Sequence, residues 1–193
     1  GGGPGEMLQP YFCGISEAQD TIYMYDNTYK KLFIFHLQFT EKGEIDYTLI
    51  ENKSQTNTDK LQYNGLNMSQ MYFHLTRLEN GYYIAYRVLT KEDIFTLLDK
   101  DLNEIANFGE YPIDKGLFSE REEFRTTTYF AGAMAADGNS FYFGSHHFGY
   151  LYRYDISNQG ELTKVWQKQF MKPQYFMKGN KVKFNSASLE AFY

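Results

Sequence analysis

TYFAGAMAADGNSFYFGSHHFGYLYRYDISNQGE, residues 128–161, is the stretch that decides the fold. Tyr129-Phe130 opens a strand of small residues over Ala131 to Ala135, and Asp137-Gly138-Asn139 is the turn that ends it. Such residues favour tight hairpins because they tolerate positive φ. Two aromatic runs follow, Ser140 to Phe143 and Tyr150 to Tyr154. A second turn at Asn158-Gln159-Gly160 leads into Glu161-Leu162 and a last run with the only tryptophan, Trp166. Each run has the length and composition of a strand. The stretch reads as four short strands in succession, an antiparallel meander.

The pattern recurs. Tyr-Phe pairs stand at Tyr11-Phe12, Tyr72-Phe73 and Tyr129-Phe130, 61 and 57 residues apart. The turn before each fourth strand is a separate landmark: Gly43-Glu44-Ile45, Asn103-Glu104-Ile105 and Gly160-Glu161-Leu162, spaced by 60 and 57. Two landmarks keeping step through three copies define a repeat. A strand-only repeat of this length predicts propeller blades, whose units commonly run about 40–50 residues. The excess falls in links at Asn52 to Met68 and Tyr111 to Thr128, with Glu51 to Lys60 read as an exposed polar link. The expected fold is all-β: a β-propeller of three four-stranded antiparallel blades at about 11–50, 72–108 and 129–170, in one domain spanning 1–193. Phe192 follows Phe130 by 62 residues, so 189–193 reads as the start of a fourth blade of a larger ring. A β-sandwich fits the strand content but not the internal repeat.

Composition agrees. Aromatics make up 19% of the chain, with 18 Tyr and 17 Phe. Runs such as Leu32-Phe33-Ile34-Phe35 and Thr21-Ile22-Tyr23-Met24-Tyr25 predict strands buried on both faces, as in a blade held between two others. The small residues Gly14, Gly132 and Ala133 suit the crowded axis of a ring. A net charge of −5 gives no basic footprint, which argues against nucleic acid. No apolar run reaches the ~18–20 residues of a membrane helix. Cys13 is the sole cysteine, so no intrachain disulfide forms, and its place in a first strand makes it a small core residue. Gly1-Gly2-Gly3 without a starting Met suggests that the natural N-terminus lies upstream.

In a meander the links and the turns between second and third strands share one face, around the mouth of the axis, where propellers commonly bind ligands. The candidate binding residues there are Tyr29, Tyr63, Arg87, Arg125, His146 and His147. Arg87 follows the aromatic run Tyr82 to Tyr86, where its guanidinium can meet an anion over tyrosine rings. Arg125 offers the same chemistry, and Tyr29 and Tyr63 offer rings for sugar stacking. His146-His147 can contact a ligand, but neighbours in an extended segment point to opposite sides and do not chelate one ion, so no metal and no cofactor is expected. Phe143-Gly144-Ser145-His146-His147 lacks the glycines of a nucleophile elbow, and no phosphate-binding loop occurs. Asp99, Asp101 and Glu104 lack the glycine and the oxygen count of a calcium loop and read as hairpin caps.

Gly1-Gly2-Gly3-Pro4-Gly5-Glu6 resembles the Gly-x-Gly-Pro-Gly-Glu handover of bacterial six-bladed β-propellers. Phe108-Gly109-Glu110-Tyr111-Pro112 looks like the matching motif of the TolB-like group, and Ala135-Ala136-Asp137-Gly138-Asn139-Ser140-Phe141 is similar to the Asp-Gly hairpin that NHL-type repeats share. The resemblance covers the whole chain at the level of blades. It implies an exported protein, often a lipoprotein, in the periplasm or at the cell surface, with about six blades. The matching motifs are turns, so it transfers no catalytic residue. Two arrangements complete the ring: a parent chain about twice as long, or a dimer. The expected function is a non-catalytic module that binds a glycan, peptide or protein partner through the channel-mouth face. The alternative is a propeller hydrolase or lyase, with catalytic groups at that mouth or in the missing half.

Overall fold

The computed structural model describes residues 6–54, 60–63, 66–69, 72–87, 93–111, 132–146, 148–170, 175–178 and 181–184. The first sheet contains β1 (Pro10–Ile15), β2 (Thr21–Asp26), β3 (Lys31–Phe39) and β4 (Ile45–Ser54). A separate hairpin, β5 (Lys60–Tyr63) and β6 (Leu66–Ser69), precedes the second sheet. That sheet holds β7 (Tyr72–Arg77), β8 (Tyr83–Arg87), β9 (Asp93–Leu98) and β10 (Glu104–Glu110). The third holds β11 (Gly132–Asp137), β12 (Ser140–Ser145), β13 (Tyr150–Ile156) and β14 (Leu162–Gln169). A last hairpin joins β15 (Tyr175–Lys178) to β16 (Lys181–Phe184). Each four-stranded sheet runs in sequence order with antiparallel neighbours.

The turns form where the sequence provides for them. Gly81 and Gly138 take φ of 89° and 60° in the first hairpins of the second and third sheets, a region that costs other residues steric strain.

The sheets stack face to face with the second in the middle. Between the first and second lie Cys13, Tyr25, Leu32, Ile34, Leu75, Tyr83, Ala85 and Leu98. Between the second and third lie Ile84, Tyr86, Phe95, Leu97, Phe108, Phe141, Phe143, Tyr152 and Tyr154. Strand alternation explains the division: Tyr83 and Ala85 of β8 point one way, Ile84 and Tyr86 the other. Phe95 is the hub, with ring centroids 5.0 Å from both Phe141 and Phe143 and 5.3 Å from Phe108. Each such side chain contributes about 1.5–3 kcal/mol through burial. The first strands turn toward a common axis, where β1 meets β7 and β7 meets β11. The arrangement is a partial β-propeller of three blades.

Polar links add register. The Asn80 N–H donates to Asn139 Oδ1 at 2.9 Å, and Asn80 Nδ2 donates to the carbonyls of Ile156 and Ser157 at 3.0 and 3.1 Å. At the outer edge, Lys53 Nζ donates to the Lys100 carbonyl at 2.9 Å and pairs with Asp101 at 3.2 Å.

The structure departs from the sequence reading in three places. Glu51–Ser54, read as exposed link, continues β4; the hairpin β5–β6 occupies a span read as link; and the hairpin β15–β16 follows the third expected blade, where no strand was read. The edge positions Glu51–Ser54 are polar, and the hairpin strands are four residues each, too short to show a period. Burial on both faces holds in the middle sheet, where Tyr83–Tyr86 and Ile94–Leu98 are all buried, and in Leu32–Phe35 of β3, but not in β12 and β13. There Ser140, Tyr142, Arg153 and Asp155 alternate with buried aromatics, since no described sheet covers that side. Similarly, Thr21–Met24 of β2 is only half-buried. The Tyr-Phe pair lies inside β1 and β7, whereas β11 begins two residues after Phe130. Tyr129-Phe130, residues 112–128 and the expected opening strand at 189–193 lie outside the described residues.

Candidate functional site

The second-to-third-strand turns place Tyr29, Arg87 and His146 on one face by topology, one in each sheet. Tyr29 is 43% exposed, and its N–H donates to Asp26 Oδ1 at 2.9 Å. Asp26, fully buried, also accepts from Leu8, Gln9 and Thr28. Burial alone would raise this carboxyl; the four N–H bonds outweigh it and hold the group below its ordinary value. Arg87 is half-buried at the end of β8, where its carbonyl accepts the Tyr111 hydroxyl at 3.5 Å. His146 is exposed in the β12–β13 turn. Arg125 and His147 lie outside the described residues, and Tyr63 is placed only as the last residue of β5. Among the described residues, no group of three or more His, Cys, Asp or Glu converges to hold a metal. Nor is any helix among them long and apolar enough to cross a membrane.

A cleft of about 410 Å³ lies elsewhere, along the axis between the three first strands. Its lining comes from Phe12 to Ile15 of β1, Thr76, Arg77 and Glu79 at the end of β7, and Met134, Ala135, Ala136 and Gly138 in and after β11. These residues sit next to the first hairpin turns. The cleft therefore belongs to the end of the axis opposite the link-side face that the sequence singled out. First strands are edge strands, so part of the wall is backbone.

Arg77 is the cation of this cleft. A Cβ on Gly14 would lie 3.2 Å from Arg77 Cβ, so the absence of a side chain there lets the arginine cross onto the first sheet. Its guanidinium carbon stands 4.3 Å from the centre of the Tyr23 ring, a cation–π contact. Its charge also bears on the Tyr83 hydroxyl, which burial pushes up first while Arg77 pulls the other way. No ion pair within 4 Å joins Arg77 to a carboxylate among the described residues. Glu79 is exposed at the rim, and its N–H donates to the Gly138 carbonyl at 3.1 Å.

Cys13 lines the same wall, and burial pushes its thiol up to about 12, against a smaller opposing effect of a backbone hydrogen bond with Tyr25. A thiol so hard to ionise is a poor nucleophile. Phe12 is 62% exposed and lines the cleft, on the side of β1 away from the core. Sequence reasoning did not single out Arg77. An arginine closing a strand is ordinary, and only Gly14 and Tyr23, brought in by another sheet, distinguish it.

Solved propeller structures resemble this chain. A protein provisionally designated exported, from Bacteroides fragilis NCTC 9343, matches with TM-score 0.50 and 14% identity over 86% of this chain and 39% of that one. A provisionally designated 6-phosphogluconolactonase from Bacteroides uniformis ATCC 8492 matches with TM-score 0.46 and 12% identity over 89% and 45% of the two chains. The periplasmic gluconolactonase PpgL of Pseudomonas aeruginosa gives TM-score 0.41 and 9% identity over 90% and 42%. The chain thus spans roughly two fifths of the length of these structures. At such identities the likeness speaks for fold alone. No family model matches the sequence, and no curated protein matches it.

Proposed function

We propose that this chain is part of an exported β-propeller of the six-bladed, TolB-like or NHL-like type that binds a glycan without transforming it. The axial cleft is the primary site in this reading, and the link-side turns with Tyr29, Arg87 and His146 are a second contact surface for a peptide or protein partner. An extracytoplasmic location fits the designation of the Bacteroides fragilis protein as exported.

One observation carries the reading. The cleft combines apolar walls, backbone edges, one guanidinium and one rim carboxylate, which is a recognition set. Hydrolysis or elimination calls for two proton-transferring groups within reach of one bond. Within the described lining a guanidinium is not a proton-transfer group and burial keeps the Cys13 thiol protonated, leaving Glu79 alone for such work. A propeller hydrolase or lyase is the reading opposed to this one.

Isothermal titration of the full chain against neutral and acidic oligosaccharides tests it, with product analysis of the same mixtures. Saturable binding with intact sugar is expected. Ala135→Trp, which fills the cleft from an exposed position on β11, should abolish it. Binding unchanged by Ala135→Trp would remove the cleft from the proposal, and released or shortened sugar would replace it with the enzymatic reading.

A further inference from the structure

The geometry points to a uronate, the carboxylated sugar unit of an acidic glycan, as the group held in the axial cleft, with Arg77 receiving its carboxylate. The inference rests on the cleft being the binding site, as proposed above, and adds the chemistry of what enters it.

Charge is the first argument. Arg77 lines the cleft, and no described carboxylate lies within ion-pairing distance of it. The Tyr23 ring supports one face of the guanidinium. A guanidinium carries five N–H donors in a fixed planar fork, so donors remain beyond that contact. A carboxylate matches that fork with two parallel charge-assisted hydrogen bonds.

The remaining lining decides what the carboxylate is attached to. Glu79 projects at the rim, two residues beyond Arg77, and repels a second negative charge. It accepts hydrogen bonds from hydroxyl groups, and Thr76 beside it can donate or accept. Ala135 and Phe12 supply apolar surface, which suits the C–H face of a pyranose ring. One carboxylate, several hydroxyls and a ring with an apolar face describe a uronic acid. A peptide C-terminus shares the carboxylate but not the hydroxyls. A volume of about 410 Å³ admits one such sugar with room for a linked neighbour.

The experiment uses glucuronate, with glucose as the neutral probe of the same ring and N-acetyl-dialanine as the carboxylate without a sugar. Glucuronate should bind the full chain about tenfold or more tighter than glucose, the effect of one charge-assisted contact. Arg77→Met should remove that preference while glucose binding persists. Because Arg77 also packs on Tyr23, Arg77→Met can disturb the fold, so two further readouts bear on the same point. Arg77→Lys keeps the charge without the fork and should retain only part of the preference. With the native chain, raising salt toward ~0.15 M should weaken glucuronate and leave glucose unchanged. Equal affinity for glucuronate and glucose, a salt-independent glucuronate affinity, or tighter binding of the dipeptide would each overturn the uronate assignment. If Ala135→Trp abolishes glycan binding while Arg77→Met and salt leave it intact, the binding cleft stands and only the charge assignment falls.

Discussion

Gly109 sits directly against the ring of Phe95: a Cβ at that position would lie 2.6 Å from Phe95 Cδ2. The backbone there has φ of 82°, which side chains other than glycine rarely adopt. Two separate requirements, conformation and space, therefore fall on one residue, against the hub of the larger core. Overpacking costs about 1–3 kcal/mol and the left-handed conformation about 1–2 more. Gly109→Ala is expected to lose roughly 2–5 kcal/mol in urea denaturation. Gly43→Ala, with φ of 78° and nothing within 4 Å, separates the two causes and should lose only the conformational part. Equal losses in the two variants would show that the contact with Phe95 is not what selects glycine.

Two phenylalanines in similar strands should behave differently. Phe95 is fully buried among six aromatic rings, whereas Phe12 is 62% exposed. Phe95→Ala should cost about 3–5 kcal/mol, as deletion of a packed ring does. Phe12→Ala should change stability by under about 0.5 kcal/mol, the usual range for exposed positions. Thermal melts of both proteins are the check; a large loss at Phe12 would mean that its ring has a covering partner.

The contrast marks how far the sequence could be read. The repeat is visible because several units share turn chemistry, Asn80-Gly81 with Asp137-Gly138 and Gly43 with Gly160, although Gln19 and Leu102 hold the matching left-handed positions in the other copies. The four-strand meander follows from those turns. Which face of Phe12 is covered depends on a neighbouring sheet, and nothing local encodes that. The hairpins β5–β6 and β15–β16 were missed because strands of four residues are too short to show a hydrophobic period. Arg77 was missed for a related reason. Its distinction comes from Gly14 and Tyr23, which lie 63 and 54 positions earlier in the chain. The candidate face at the turns of Tyr29, Arg87 and His146 followed from topology, whereas the cleft follows from packing at the other end.

Asn80 should act as a fastener between the second and third sheets. It donates three hydrogen bonds across the boundary, to Asn139 Oδ1 and to the carbonyls of Ile156 and Ser157. The backbone N–H survives substitution, so Asn80→Ala removes the two side-chain bonds across the boundary and the local one that Asn80 Oδ1 accepts from the Tyr82 N–H. At about 1 kcal/mol for each bond, the loss should be roughly 1.5–3 kcal/mol. Amide exchange should accelerate at Ile156 and Ser157 while the β2–β3 pairing keeps its protection. Exchange accelerated evenly over all sheets would deny Asn80 a local role.

Asp26 gives the protein an acid limit. Its carboxylate accepts N–H bonds from Leu8, Gln9, Thr28 and Tyr29, and these hold it below its ordinary value despite burial. A carboxyl that is easier to ionise folded than unfolded stabilises the fold above its unfolded value, about 3.9 for aspartate. That stability is lost as pH falls through the lower, folded value. Asp26→Asn keeps an acceptor oxygen and removes the charge. It should lower stability at pH 7 and leave the difference from the native chain smallest below about pH 3. A difference constant from pH 7 to pH 2 would show that the charge contributes nothing.

Cys13 offers a reporter for separation of the first and second sheets. The side chain is 4% exposed among Tyr25, Leu32 and Leu75, and burial pushes the thiol up to about 12. At pH 8 the folded thiolate fraction is then on the order of one in ten thousand, against roughly a quarter for a free cysteine. Labelling by a disulfide reagent at pH 8 should be slow in the native protein and fast in urea, with the native rate set by opening of the sheet pair. Because Cys13 borders the cleft, the uronate inference adds a second expectation: saturating glucuronate should slow labelling further, since a ligand that binds only the folded state lowers the open fraction. A fast burst of labelling in the absence of urea would mean that the first blade is not held against the second as its buried contacts imply.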